Sequence, residues 1–456
     1  MSKVGAPPRA RRSPRCKTCR HRKVKCDYVS PVCGPCKKSK LQCEPYEASF
    51  IFVAVDPPST TPPSHEQLVL RPTSSKTLPS AKDLANCPLL AGSLKRSNIF
   101  DQFLRFYFPS NPALLESSSY SWVATISENK ETFLLLDTTA CALGTLFLSR
   151  KNEDLNLKHE SMTLYGDALS HARALWDTAD KTNWFRPLLG VSLLLLYESL
   201  SPSSLASTKK TLNHGMGLAT LLQLAGPKSF QTAAPHILFI HARVALLYIA
   251  ILEEKPSFLA ERDWLEQPWV RVAKNNMHAS LDTLSQVPEL LSLSNQICEA
   301  AQTHTEYSRL MEQFDLQHDK VLILIKQTGE CLQNTGEKPK NLHEFTATQN
   351  RLACQLMVFD ALERLSSLSH IAAFQRYRQS ANSSKPTAES AADAIIFSIN
   401  HFNTDECGFI GLRLLFVAAR AAVQFLQRQC RAQEAAVTKL LETFKSKGFY
   451  FLLDVL

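Results

Sequence analysis

Apolar residues recur along most of this chain with the three-to-four-residue period of an α-helix. From about residue 97 onward glycine is scarce, and the strict alternation typical of β-strands is almost absent. The periodicity predicts one large all-α domain, residues 96–456, with helices packed ridges into grooves. The predicted helices cover residues 98–107, 131–150, 155–177, 187–200, 209–225, 235–254, 294–333, 342–377, 386–402, 407–430 and 433–454.

One predicted helix, residues 187–200, is apolar on all sides and is therefore expected to be buried at the centre of this domain. The longest uninterrupted apolar run, 188–197, is shorter than the roughly 18–20 residues that a membrane span needs. We therefore expect no membrane partner.

Residues 46–95 form a predicted linker between the helical domain and an N-terminal region. Eight prolines fall within 44–95, and serine and threonine fill much of the remainder. Proline breaks helices and removes hydrogen-bond donors, so neither a long helix nor a coiled coil is expected here. The basic residues 1–14 are predicted to be a disordered arm.

Charge is distributed unevenly along the 456 residues. The chain carries a net charge of +9, yet residues 1–43 hold thirteen lysines and arginines against one acid, Asp27. The remaining residues are therefore net negative. A basic surface confined to one end predicts binding to nucleic-acid phosphates, and the same residues can serve as a nuclear import signal.

Six cysteines lie within this basic end, separated by two, six, six, two and six residues. Each half of the pattern is a close pair followed by a third cysteine, which is a spacing typical of zinc ligands. Two separate tetrahedral zinc sites need eight ligands, so six thiolates suffice only if two of them bridge both ions. The spacing thus predicts a small domain at residues 15–45 that binds two zinc ions through Cys16, Cys19, Cys26, Cys33, Cys36 and Cys43.

Three disulfides are the alternative reading of six closely spaced cysteines. The N-terminus has no apolar segment resembling a signal peptide, so we expect a reducing compartment, where metal binding is favoured. The other seven cysteines are dispersed and are expected to be buried thiols.

The stretch from Arg15 to Asp27, together with Pro31, resembles the fungal binuclear zinc cluster DNA-binding domain. The resemblance implies that Cys16 and Cys33 bridge the two zinc ions. It also implies that Cys19 and Cys26 complete one site, and that Cys36 and Cys43 complete the other.

This resemblance further implies that a short helix after the first cysteine pair enters the major groove of double-stranded DNA and reads a CGG-like triplet. Lysine and arginine are the side chains that donate to guanine O6 and N7 in that groove. We expect Lys23 to contact a base, with Arg22 as the second base contact. The residues expected to contact phosphates are Lys17, Arg20, Lys25, Lys37 and Lys38.

A second, less specific resemblance lies in the helical part. Four stretches are similar in order and spacing to the fungal-specific transcription factor middle domain, a helical regulatory domain. We expect these residues to be mainly structural, and His214 to be a packing or capping histidine. The stretches are 165–169, 193–198, 214–217 and 225–227.

These features predict a nuclear, sequence-specific regulator of RNA polymerase II transcription that controls a metabolic or biosynthetic gene set. A zinc-module scaffold that binds protein or RNA is one alternative. A helical enzyme with a zinc tether is another, but the chain has no phosphate-binding glycine loop and no hydrolase or metalloprotease motif. We therefore predict no catalytic residues.

Specificity requires more than one triplet, because a three-base-pair site recurs too often in a genome. The helical domain could pair two copies as a homodimer. Alternatively, the arm at 9–12 could enter a neighbouring groove and leave a monomer.

Overall fold

In the computed structural model the chain divides into two units, Met1–Thr77 and Leu78–Leu456. The predicted arm at 1–14 and linker at 46–95 lie outside the described residues. The described residues are 18, 19, 22, 24, 34–42, 102–108, 134–176, 180, 182–201, 205–302, 307–333, 341–402 and 406–447.

Helices dominate the described part of the second unit, and the described residues contain no β-strand. The prediction of a mainly helical second unit is confirmed. In chain order the α-helices are α1 (Gly34–Lys38), α2 (Leu134–Lys151), α3 (Leu155–Trp176), α4 (Phe185–Leu200), α5 (Leu205–Ala225), α6 (Ala233–Glu253), α7 (Arg262–Glu266), α8 (Asn276–Ser285), α9 (Val287–Gln302), α10 (Ser308–Gln333), α11 (Leu342–Ser366), α12 (Gln375–His401), α13 (Gly408–Arg428) and α14 (Ala435–Ser446).

Helix α4 lies at the centre of the first group of helices, as its apolar sequence predicts. Every residue from Pro187 to Leu200 is buried. The helix packs against α2, α3 and α5. An all-apolar surface is stable only when neighbours cover every side of the helix, so the pattern determines this position.

Helix α11 is the centre of the second group. It packs against α8, α9, α10, α12 and α13. Its buried residues lie on several faces and include the polar side chains of His343, Thr346, Gln349 and Asn350. Because these polar residues interrupt the apolar pattern, the sequence did not single out α11 as central.

Two long predicted helices are divided differently in the structure. The predicted 294–333 helix is two helices, since α9 ends at Gln302 and α10 begins at Ser308. The predicted 342–377 helix ends at Ser366, and α12 then continues through Pro386, where a separate helix was expected to begin.

An internal proline costs a helix about 3 kcal/mol, because it lacks an amide donor and its ring meets the preceding turn. In α12 the turns on both sides of Pro386 are held by buried residues, among them Tyr377, Ala388 and Ile395. Burial of one large side chain contributes about 1.5–3 kcal/mol. Packing on both sides therefore outweighs the local cost and keeps the helix continuous.

Helices α6 and α13 are long and apolar enough to cross a membrane by length and composition alone. However, 61% of the most apolar window of α6 and 83% of that of α13 are buried inside the protein. Core helices of globular domains pass the same test, so these two helices are accounted for by packing within the unit.

The dispersed cysteines are less uniformly buried than the sequence predicted. Cys354 and Cys407 are buried, and burial raises the pKa of the Cys354 thiol to about 12. Cys331 and Cys430 are instead exposed, which corrects the prediction for these two. Both lie at or just beyond the ends of helices, where the periodic pattern no longer determines burial. Cys87 lies outside the described residues.

Gly408, the first residue of α13, has a backbone conformation that other residues rarely adopt. Its φ is +63°, and a Cβ placed there would lie 2.5 Å from the carbonyl carbon and oxygen of Phe108. We expect Gly408→Ala to destabilise the protein by at least about 2 kcal/mol, through left-handed backbone strain and this backbone contact. Thermal unfolding of the full-length protein measures the effect.

Gly166→Ala in α3 is the matched control. A Cβ at Gly166 would meet no atom within 4 Å. Alanine is favoured over glycine inside a helix by roughly 0.5–1 kcal/mol. The control is expected to be neutral or stabilising, and equal effects of the two substitutions would contradict the account of Gly408.

Candidate metal and nucleic-acid site

Two of the six clustered cysteines lie within the described residues, and they are in contact. Thr18 and Cys19 both have helical backbone structure, and Cys36 lies in α1. Both side chains are fully buried, and their Sγ atoms are 3.7 Å apart. Cys16, Cys26, Cys33 and Cys43 lie outside the described residues.

The Cys19–Cys36 distance fits a compact thiolate cluster. A disulfide bond is only about 2.05 Å long, so these two thiols are not joined by one. The resemblance assigns Cys19 to one zinc ion and Cys36 to the other, so their 3.7 Å separation is a contact between ligands of neighbouring sites and not a ligand–ligand distance around one ion. The second cysteine of each close pair therefore faces its counterpart, and the two halves lie close enough together to share zinc ligands.

The two halves of the cysteine pattern have the same local backbone structure, offset by 17 residues. After each close pair, one amide donates to a carbonyl four residues earlier and another donates to a carbonyl five residues earlier. In the first half, the Arg22 amide donates to the Thr18 carbonyl and the Val24 amide donates to the Cys19 carbonyl. In the second half, the Ser39 amide donates to the Pro35 carbonyl and the Leu41 amide donates to the Cys36 carbonyl. All four bonds are 3.1–3.2 Å long.

Two side-chain hydrogen bonds join the halves. The Thr18 hydroxyl donates to the carbonyl of Gln42 at 2.8 Å, and Arg22 Nη2 donates to Ser39 Oγ at 3.0 Å. Arg22 and Ser39 occupy equivalent positions in the 17-residue repeat. Sequence reasoning did not identify Ser39 or Gln42, although aligning the two halves pairs Ser39 with Arg22.

Three of the residues predicted to contact DNA are described, and all three are exposed: Arg22, Lys37 and Lys38. Both lysines lie in the last turn of α1. Lys40 follows with a left-handed φ of 50° and is also exposed. The second half of the cluster thus presents at least three cationic side chains to solvent.

The remaining predicted DNA contacts are Lys17, Arg20, Lys23 and Lys25, which lie outside the described residues. Their placement around the cysteines therefore remains a sequence prediction. Within the described ranges, no group of three or more histidine, cysteine or acidic residues could hold a metal ion.

In the helical unit, one residue from each of three of the four stretches that carry the second resemblance meets the others in a largely buried cluster. Tyr165 of α3 donates its hydroxyl proton to Glu198 of α4 at 2.5 Å. The Nε2 atom of His214, which is in α5, lies 2.7 Å from the same hydroxyl oxygen. Because a tyrosine hydroxyl has only one proton, the His214 contact requires a proton on Nε2.

This cluster stabilises the packing of α3, α4 and α5. The rings of Tyr165 and Tyr197 stack with centroids 4.3 Å apart, and the Tyr197 hydroxyl is 3.0 Å from Ser161 Oγ. Burial and the nearby Glu198 carboxylate raise the pKa of Tyr165, so its hydroxyl keeps its proton. Glu198 is only 3% exposed, and the hydrogen bond from Tyr165 offsets part of the cost of its burial.

Comparison with known families identifies the N-terminal part of the chain. The model of the fungal Zn(2)-Cys(6) binuclear cluster domain matches residues 15–50. Neither the curated proteins nor the solved structures that were compared contain a match to the chain. Residues 15–50 thus form a fungal binuclear zinc cluster domain, which is a zinc-binding module of DNA-binding transcription regulators.

Proposed function

We propose that this protein is a nuclear, sequence-specific regulator of RNA polymerase II transcription. The family match to residues 15–50 carries the proposal. The buried contact between Cys19 and Cys36 supports it independently, because a thiolate cage needs its two halves to face each other. The helical unit then serves as a regulatory domain rather than an enzyme, and the regulated genes form a metabolic or biosynthetic set.

Two zinc ions are held by the six clustered cysteines in this proposal, with Cys16 and Cys33 shared by both ions. Zinc would supply the folding energy of a domain that is too small for a hydrophobic core of its own. The internal bonds from Thr18 and Arg22 to the second half would fix how the two halves are oriented.

We assign the contacts with the bases of a CGG-like triplet, in the major groove, to Lys23 and Arg22. The bond from Arg22 to Ser39 engages one of five guanidinium donors and leaves the others available. Phosphate contacts are assigned to Lys17, Arg20, Lys25, Lys37 and Lys38. The exposure of Lys37 and Lys38 supports that role, since phosphate contacts position a domain without reading sequence.

The helical unit is proposed to be a fungal-specific transcription factor regulatory domain, beginning near residue 96 after the linker. The convergence of Tyr165, Glu198 and His214 supports a structural role for the residues that carry this resemblance. His214 is held by a tyrosine hydroxyl between helices, which fits a packing role.

Selection of bound sites from random duplex DNA by the full-length protein tests the function. We expect enrichment of a CGG-like triplet. Lys23→Ala is expected to cost about 1–3 kcal/mol at one guanine and to relax the preference there. Failure to enrich any duplex sequence in this selection would contradict the proposed function.

Lys37→Ala is the matched control in this selection, because it removes an exposed cation assigned to phosphate. It should weaken binding to all sequences similarly and reduce the salt dependence of affinity by about one unit. An even loss of affinity across sites for Lys23→Ala would show that Lys23 is a phosphate contact instead.

A further inference from the structure

Ser39 is an exposed serine whose hydroxyl lies beside a cation from the other half of the zinc cluster. It directly follows α1, and its amide donates to the carbonyl of Pro35 at 3.2 Å. Its Oγ atom accepts a hydrogen bond from Arg22 Nη2 at 3.0 Å. The side chains of Ser39 and Arg22 are both exposed. The backbone of this serine is therefore held in place while its side chain is accessible to solvent.

The surroundings of Ser39 are strongly cationic. Lys37 and Lys38 precede it, Lys40 follows it, and all three lysine side chains are exposed. Together with Arg22 they give four cationic residues that are close to Ser39 in sequence or hydrogen-bonded to it. The described residues of the first unit include no acid. A neutral hydroxyl gains little from these charges, whereas an anion attached to Ser39 Oγ would be stabilised by them.

A phosphoryl group is the anion that serine chemistry can supply at this position. Phosphoserine carries a charge of about −1.5 to −2 at neutral pH and has three strong acceptor oxygens. Arginine binds phosphate through two parallel N–H···O bonds, and the Arg22 guanidinium already lies within hydrogen-bond distance of the oxygen that would carry the group. The carbonyl end of α1 opposes an anion only weakly, because few peptide dipoles add up in a helix of five residues.

A phosphate on Ser39 would act on the proposed DNA contacts in two ways. The unmodified hydroxyl engages one guanidinium donor of Arg22, whereas a phosphate would engage two donors and neutralise the charge. Arg22 would then be withdrawn from the bases. The added negative charge would also oppose the contacts of Lys37 and Lys38 with DNA phosphates. Both effects lower the affinity for DNA.

We propose that Ser39 is a phosphorylation site, and that its phosphate weakens the binding of this protein to DNA by pairing with Arg22. The modifying enzyme is a serine kinase that recognises basic sequences, because the lysines on both sides of Ser39 complement an acidic substrate groove. The γ-phosphoryl group of ATP is transferred to Ser39 Oγ, the hydroxyl proton is lost, and ADP leaves. The effect on DNA binding rests on the proposed function, whereas the modification and its pairing with Arg22 do not.

Treatment of the full-length, zinc-loaded protein with purified serine kinases that prefer basic sequences tests the site. In the presence of magnesium and ATP, mass spectrometry should locate a phosphate on Ser39. Metal analysis before and after the reaction checks that the zinc content is unchanged. A panel of such kinases that leaves Ser39 unmodified, or that modifies other residues only, would overturn the assignment of the site.

The pairing with Arg22 can be measured without DNA. Phosphoserine is incorporated at position 39 during translation, and phosphorus NMR follows its second ionisation. Nearby cations favour the dianion, so the pKa of this phosphate should lie below that of a free phosphoserine peptide. Arg22→Gln should raise the pKa towards the value of the peptide. Equal pKa values in the two proteins, at equal zinc content, would refute the pairing.

The effect on DNA binding is measured with the duplex that the unmodified protein selects. Phosphoserine at position 39 should weaken binding by at least about tenfold and reduce the salt dependence by about one to two units, because it offsets that many cationic charges. Ser39→Ala removes the hydroxyl without adding charge, and it should change the affinity by less than about threefold. Equal losses for the two proteins would reject the electrostatic account.

Phosphoserine at position 383 is the matched control, because Ser383 is an exposed serine of α12 in the helical unit. It adds the same charge to the other unit and should leave the affinity unchanged. A loss as large as that from position 39 would show that Ser39 has no special role. A protein that selects no duplex contradicts the proposed function, and the phosphate titration then still decides whether Ser39 and Arg22 pair.

Discussion

Removal of zinc is expected to unfold the N-terminal domain while leaving the helical unit intact. Structural zinc contributes roughly 10–16 kcal/mol to the folding of small zinc-finger peptides at neutral pH, and such peptides unfold without it. Two zinc ions per chain should be found by metal analysis of the full-length protein. After chelation, proteolysis should become rapid within residues 15–50, with little loss of helical circular dichroism.

The helical unit should be indifferent to chelation because its stability comes from packing. No described residue of that unit belongs to a group of metal ligands. Its core is continuous from Phe103 to Phe444. Loss of helical signal in parallel with zinc would show that the two units do not fold independently.

Cys16→Ala and Cys33→Ala should be the most damaging single changes at the cluster. The family resemblance assigns both residues to bridging positions, so each substitution removes a ligand from both ions. Cys331→Ser is the matched control, because Cys331 is an exposed cysteine in α10. One zinc ion per chain, or three disulfides in place of metal, would refute the binuclear site.

Asp282→Ala is expected to be the most destabilising of the predicted substitutions in the helical unit, costing about 3–5 kcal/mol. Asp282 of α8 forms an ion pair with Arg243 of α6, whose side chain is only 1% exposed. Its second oxygen accepts from Lys274 Nζ at 2.6 Å. Removing the carboxylate leaves a guanidinium that is only 1% exposed without its acid.

Urea unfolding of the full-length protein measures this effect. Glu266→Ala is the matched control, since Glu266 pairs with Arg262 at 3.0 Å but the two side chains are 55% and 86% exposed. Exposed pairs contribute about 0–1 kcal/mol, so the control should change stability little. Comparable losses for the two variants would contradict the importance of burial.

Replacing both members of the buried pair separates charge from packing. R243M/D282L removes the guanidinium together with the carboxylate. Apolar replacement of a complete buried ion pair is often neutral or stabilising, whereas loss of one partner is costly. The double variant should therefore be more stable than Asp282→Ala, and a larger loss would indicate that the pair also determines how α6 and α8 pack.

The chemistry of the zinc cluster was predictable because it depends on residues close together in sequence. A close cysteine pair brings two sulfurs onto one turn of backbone before any long-range contact forms. The position of α4 was predictable for a similar reason, since its own composition leaves no face suited to water. The continuity of α12 through Pro386 depends on packing on both sides of that residue, which the local pattern misjudged.

The sequence by itself determined the six-cysteine module, the basic N-terminal end and the helical character of the second unit. Only the tertiary structure decided which polar residues meet. Glu198 lies in an apolar run, and Tyr165 reaches it from 33 residues away, while His214 joins Tyr165 from 49 residues away. Likewise Asp282 meets Arg243 from 39 residues away. Periodicity reports which face of a helix is buried, but the contacts across that face depend on how the helices pack together.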